Sequence, residues 1–129
     1  MQHQLFKITQ NAIIKDKDGA VLILKHTTGN WLLPGGKIQK GETWREGLAR
    51  EIKEETGISN FDIDHIVDID SWIEGEEGFY VVTFSAAVSE AEIILSNEHS
   101  NYAWVKLADL DNYNFWHENI KKRIVKSLS

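Results

Sequence analysis

Between Gly36 and Ile58 the chain reads GKIQKGETWREGLAREIKEETGI, and no other stretch restricts the fold as strongly. Pro34-Gly35-Gly36 leads into it and predicts a glycine turn, because Pro lacks a backbone donor and Gly favours unusual dihedrals. Thr43 is a good N-cap, and Glu46 three residues later completes a capping box. Trp44 to Thr56 holds no Pro and one interior glycine, Gly47, and Gly57 suits the left-handed position after a helix. A helix over Trp44–Thr56 is therefore predicted. Trp44, Leu48 and Ile52 recur at helical spacing and form an apolar stripe, with Ala49 beside it. Glu51, Glu54 and Glu55 project together from the adjacent arc. Like charges at this spacing weaken a helix by roughly 0.2–0.5 kcal/mol per pair, and acids near its C-terminus oppose the macrodipole. Three carboxylates set against local preference point to a cation that offsets their repulsion, and hard divalent ions such as Mg²⁺ take oxygen ligands of this kind. On these residues alone a solvated acidic face stands beside that reading.

The wider pattern decides between the two. Gly36, Glu42, Arg50, Glu51, Ile52, Glu54, Glu55, Gly57 and Ile58 fit G-x5-E-x7-R-E-U-x-E-E-x-G-U, with U aliphatic, at every specified position. This is the signature box of the Nudix hydrolases, which the chain resembles; the preceding Trp31–Gly36 run, W-x-L-P-G-G, extends the match. The resemblance implies cleavage of a nucleoside diphosphate linked to a further moiety, with Mg²⁺ or Mn²⁺ as cofactor. Glu51, Glu54 and Glu55 match the family's metal-binding carboxylates, and the carbonyl of Gly35 matches a backbone metal ligand. Glu54, Glu51 or a later loop acid would orient or deprotonate the attacking water. Arg50 matches a residue that positions the carboxylates, and Glu42 a loop acid that supports the site. Glu98 precedes Trp104-Val105 in an E-x5-W-V element and matches a loop acid that binds metal or acts as base in relatives. Lys25, His26 and Lys37 lie where relatives carry phosphate-contacting basic side chains; surface solubility is the plain alternative for each.

Composition agrees. The net charge of −6 argues against general binding to nucleic-acid backbones and favours metal mediation for a phosphate-bearing ligand. Cysteine is absent, which removes disulfides and Cys-His chemistry and is compatible with a cytoplasmic location. No run of about twenty apolar residues is present. With 129 residues, one Pro and no repeat or linker, a single domain over residues 1–129 is expected.

Around the box, residues 4–16 read as a strand, Asp16–Gly19 as a hairpin turn, Val21–Lys25 as the returning strand and Trp31–Leu33 as a short strand. The region 61–73 is apolar-rich, Glu74–Gly78 a turn, and Phe79–Val88 its antiparallel partner; Trp104 and Val105 lie in a core strand. Leu107–Leu110 reads as a helical turn and Trp116–Leu128 as an amphipathic helix whose basic run is most simply a solvated face. Trp31 has a core reading and a pocket-edge reading, Trp72 could stack on a base, and Asn114 and Phe115 are placed to touch one. His99 is read as structural or as a rim contact. Helices on either side of a mixed sheet give an α/β class, a three-layer α/β/α sandwich, which is also the Nudix fold.

The expected function is Mg²⁺-dependent pyrophosphohydrolysis of a nucleoside triphosphate or nucleoside-diphosphate derivative, with a MutT-like (d)NTP diphosphatase favoured. Hydrolysis of ADP-ribose, a dinucleoside polyphosphate or a nucleotide sugar is the alternative, as is a non-catalytic nucleotide-binding module. Partners implied are a nucleotide substrate, no nucleic-acid polymer and no membrane; a homodimer stays open.

Overall fold

The structure, a computed structural model, describes residues 1–128. Its elements are β1 (Phe6–Lys15), β2 (Val21–His26), β3 (Trp31–Leu32), β4 (Gly35–Lys37), α1 (Trp44–Thr56), β5 (Asp62–Glu74), β6 (Glu77–Ala87), β7 (His99–Val105), a 3-10 turn (Leu107–Asn112) and α2 (Glu118–Leu128).

The sheet is mixed. β1 runs parallel to β6 from Phe6 opposite Gly78 to Lys15 opposite Ala87, and antiparallel to β4. β5 and β6 form a long antiparallel hairpin closed by Gly75-Glu76, tighter than the predicted turn. Strands buried on both faces read as near-continuous apolar runs, and the core divides accordingly. Ala12, Ile14, Leu22 and Leu24 pack with Leu48 and Ile52 of α1. Ile13, Val21 and Ile23 pack on the opposite face with Ile120 and Ile124 of α2. That alternation produces the three layers.

Helix α1 starts and stops where its caps dictate. The Thr43 hydroxyl accepts from the Glu46 N–H at 3.3 Å, the Glu46 carboxylate accepts from the Thr43 N–H at 2.9 Å, and Gly57 takes the left-handed cap. Thr43→Ala is expected to lower stability by about 1 kcal/mol, read as a lower denaturant midpoint with an unchanged slope. Trp44 is not a core residue: it is 42% exposed and stacks on Phe84 at 5.0 Å.

Two readings need correction. Gly35–Lys37 is a strand, not a turn, since Gly35 and Gly36 pair with Asn11 and Gln10. Close approach of two backbones explains the glycines: a Cβ on Gly35 would meet the Gln10 carbonyl and come within 2.6 Å of the Asn11 Cα. The basic run of α2 is not simply a solvated face either. Buried Arg123 reaches Asp68 at 3.4 Å and Asp70 at 3.6 Å, Lys126 reaches Asp68, and Lys121 pairs with Asp111. The helix itself begins two residues later than Trp116, at Glu118. Among the described residues no helix is long and apolar enough to cross a membrane.

Candidate active site

The helical register of α1 aims Arg50, Glu51 and Glu55 toward β4, with Glu54 beside Arg50 and largely exposed. Arg50 is the hub. Its Nε donates to Glu42 Oε2 at 2.6 Å and its Nη2 to Glu42 Oε1 at 3.0 Å, a two-pronged pair. Nη1 donates to Glu51 Oε1 at 2.9 Å and Glu54 Oε2 at 3.2 Å, and Nη2 also reaches the Lys37 carbonyl. The guanidinium holds the Glu42 carboxyl below its usual range, helped by the Gln39 N–H. Glu42 thereby locks Arg50, and Arg50 holds two of the three box carboxylates.

Glu55 is different. It is buried at 6% exposure, its Oε1 accepts from the Gly35 N–H at 2.7 Å, and its Oε2 lies 4.0 Å from His99 Nε2. Burial pushes its carboxyl up to about 8, and the charges of Glu51, Glu98 and Glu54 push the same way against the Gly35 bond. Glu51 is raised too, first by burial and further by Glu54 and Glu98. Glu98 stands exposed in the turn before β7, where its carbonyl accepts from the Thr27 N–H. Four carboxylates from two segments thus sense one another. His99 is buried, held below its ordinary pKa mainly by burial, with Nδ1 3.3 Å from Ser96 Oγ. It is a structural residue behind Glu55.

This donor set suits a hard divalent ion. All the donors are oxygens, the neighbouring carboxylates add to the burial that raises Glu51 and Glu55, and Gly36 leaves the Glu51 carboxylate space that a Cβ would fill at 2.5 Å. Among the described residues no three acids or histidines already converge as a ligand cage, because Arg50 draws Glu51 and Glu54 to itself. A cation and the guanidinium would share those oxygens. The expectation that a metal alone makes the cluster tolerable is therefore too narrow: Arg50 offsets part of the repulsion.

Beside the cluster, on the α2 face, opens a cleft of about 730 Å³. Gly35 and His26 lie in its wall, Thr9, Asn11 and Val81 in its floor, and Trp72, Trp116 and Asn119 around it. Backbone bonds from Trp31 to Asn114 and from Trp116 back to Trp31 seat Trp116 there, and its ring meets His26 edge-to-face at 5.1 Å. Among the residues singled out from sequence, Gly35, Trp72 and His26 line this cleft. Lys25, Lys37, Asn114 and Phe115 do not: Lys25 is half-buried between Trp31 and Asn101, Lys37 is exposed, and Phe115 packs in the core. Trp31 takes its core reading, edge-to-face with Tyr113 at 5.0 Å. Asn11, Asn119 and Trp116 escaped the sequence reading. Asn11 left one signal, a polar residue inside a strand buried on both faces; its Oδ1 is buried with no hydrogen-bond partner among the described residues.

Comparison with known proteins gives a consistent answer. The NUDIX domain profile matches residues 5–127. The nucleoside triphosphatase NudI of Escherichia coli strain UMN026 is 32% identical over 112 residues, 74% of this chain and 79% of its own. Among solved structures, a MutT protein from Methanosarcina mazei Go1 superposes with a TM-score of 0.80 at 28% identity, covering 98% of this chain and 95% of that one. A C. elegans Ap4A hydrolase shares the fold at a TM-score of 0.80 and 21% identity, covering 95% of both chains. Enzymes of this family generally use divalent metal ions. The chain belongs to the Nudix hydrolases, enzymes that act on phosphoanhydride bonds.

Proposed function

We propose that the chain, as a single domain, is a Mg²⁺-dependent pyrophosphohydrolase of nucleoside triphosphates, a MutT-like (d)NTP diphosphatase. The observation that carries this reading is buried Glu55, which accepts from the Gly35 N–H at the edge of the cleft and feels the charges of Glu51, Glu54 and Glu98, with Arg50 tying Glu51 to Glu54. The names of the relatives, nucleoside triphosphatase and MutT, point the same way.

Glu51, Glu54, Glu55 and the Gly35 carbonyl would hold Mg²⁺, with Mn²⁺ as a substitute. The bound ion supplies charge neutralisation at the phosphate oxygens. The side chains contribute the rest. Arg50, fixed by Glu42, ties Glu51 and Glu54 to one guanidinium nitrogen and so keeps the two carboxylates together. Glu54 and Glu98, the exposed acids of the group, would accept a proton from the attacking water; their exposure supports that role. Trp72 and Trp116 offer ring faces to a base, and Asn11 and Asn119 offer polar groups in the same cleft. Lys37, exposed on the strand whose carbonyl meets Arg50, is the basic side chain assigned to phosphate; Lys25 is weaker in that role because it is half-buried between Trp31 and Asn101, and both lie outside the lining of the cleft.

The test is a substrate panel with Mg²⁺: NTPs, dNTPs, 8-oxo-dGTP, ADP-ribose, dinucleoside polyphosphates and nucleotide sugars, followed by release of phosphate or pyrophosphate. Fastest turnover is expected with a nucleoside triphosphate, and none after chelation. A preference for ADP-ribose or a dinucleoside polyphosphate would replace the triphosphate reading, and no metal-dependent turnover of any member would end it.

A further inference from the structure

The face of the sheet that carries α1 is only half covered. Helix α1 lies over Ala12, Ile14, Phe84 and the strand ends near them. Beyond Trp44 no element among the described residues forms a layer above the same face. The strand registers place Phe6 and Ile8 of β1 and Ile66, Ile69 and Ile73 of β5 on that side, with Tyr80 and Val82 of β6 between them. The Phe6–Tyr80 ring contact confirms the shared side. Phe6, Ile8 and Trp44 are 39–42% exposed, and Ile66, Ile69 and Ile73 51–52%.

We infer that this uncovered face is the contact surface for a second copy of the chain, joined across a two-fold axis. Three observations favour that occupant. First, the six side chains leave on the order of 600 Å² exposed in one patch, at the top of what monomers tolerate and near the roughly 800 Å² per partner of a standard interface. Second, charge is sorted between the two faces of these strands. Lys7, Asp68, Asp70, Glu74 and Glu77 turn to the α2 side, as their contacts with Phe79, Arg123 and the cleft show. The α1-side positions of this half are apolar or uncharged: Phe6, Ile8, Gln10, Ile66, Ile69, Ser71, Ile73, Gly78, Tyr80 and Val82. On a chain of net charge −6, an uncharged patch is where two copies meet without repulsion, and an isologous contact requires a patch complementary to itself. Arg45 lies over the Trp44 ring at 4.7 Å as a cation at the edge of the patch; an anionic membrane would call for a cluster of such cations and would repel a chain of net charge −6. Third, the same β5 strand sends Asp70, Trp72 and Glu74 into the cleft on the opposite face, so pairing through the isoleucines leaves the cleft open.

Sedimentation equilibrium at micromolar concentration is expected to return twice the 14.8 kDa chain mass for the wild type. Ile69→Glu and Ile73→Glu place like charges opposite one another across the axis; each is expected to sediment at single-chain mass with an unchanged circular dichroism spectrum, since both positions are already half exposed in the single chain. Three results would overturn the assignment: a wild type that stays at single-chain mass, a dimer that both variants leave intact, or a monomer that pellets with phosphatidylcholine–phosphatidylserine vesicles.

Discussion

Glu55→Gln is expected to make the metal-free protein more stable and to remove its metal-dependent turnover. The wild-type carboxyl sits at about 8 in the folded chain against 4.5 for an ordinary glutamate, chiefly because it is buried. A raised folded pKa means that the native state holds a proton the unfolded state has released between those two values. Stability therefore falls as pH rises from about 4.5 to about 8 and levels off above. Gln keeps the shape of the protonated acid, its Oε1 still accepts from the Gly35 N–H, and it carries no charge at any pH. The variant should match the wild type near pH 4.5 and exceed it by roughly 2–4 kcal/mol above pH 8, after discounting for solvent that reaches the carboxyl. Melting curves in chelator from pH 4.5 to 9 measure this directly. Added Mn²⁺ should reverse the order at high pH, because a ligand that binds only the native wild type raises its stability. Turnover should fall by roughly 100-fold or more, since even partners that merely orient a metal ligand carry 10–100-fold. Equal melting shifts at pH 4.5 and 9 would mean that Glu55 does not ionise in this range. A Mn²⁺-induced shift retained in the variant would remove Glu55 from the ligand set.

That behaviour explains why parts of the chain were readable and others not. The ends of α1 were visible because capping is local: Thr43 and Glu46 satisfy each other within one turn, and Gly57 caps the helix it follows. The clustering of Glu51, Glu54 and Glu55 followed from helical geometry for the same reason. Arg50 meets Glu51 and Glu54 within one turn of its own helix, but its two-pronged lock on Glu42 depends on how the loop between β4 and α1 folds back, and no local spacing encodes that. The cleft needed still more distant information. Asn11, Val81, Trp72 and Asn119 meet only after β1 pairs in parallel with β6, β5 returns beside it and α2 packs across. Arg123 looked like part of a solvated run because Asp68 and Asp70, its neutralising partners, sit more than fifty residues earlier in the chain.

The paired glycines of β4 give the sharpest separation between fold and chemistry, because adjacent Gly→Ala changes should act on different things. A Cβ on Gly35 would press on the backbone of β1, at the Gln10 carbonyl and within 2.6 Å of the Asn11 Cα, in a backbone conformation of φ +152° that other residues rarely adopt. Strand backbone inside a sheet has nowhere to move. Gly35→Ala should therefore lower stability by roughly 2–5 kcal/mol through strain and overpacking together, and should loosen the N–H that holds Glu55. On Gly36 the new Cβ would instead lie 2.5 Å from Glu51 Cδ and 2.7 Å from both carboxylate oxygens. That obstacle is the end of a side chain, which can swing away. Gly36→Ala should keep the denaturant midpoint within about 1 kcal/mol of wild type while pushing Glu51 off Arg50 and out of the cluster, so that kcat falls by at least tenfold and the requirement for Mg²⁺ rises. Denaturation and turnover measured on both variants decide the matter. A fully active Gly36→Ala protein would show that Glu51 does not need the position it takes beneath β4, and a Gly35→Ala protein as stable as wild type would show that β1 and β4 do not pack this closely in solution.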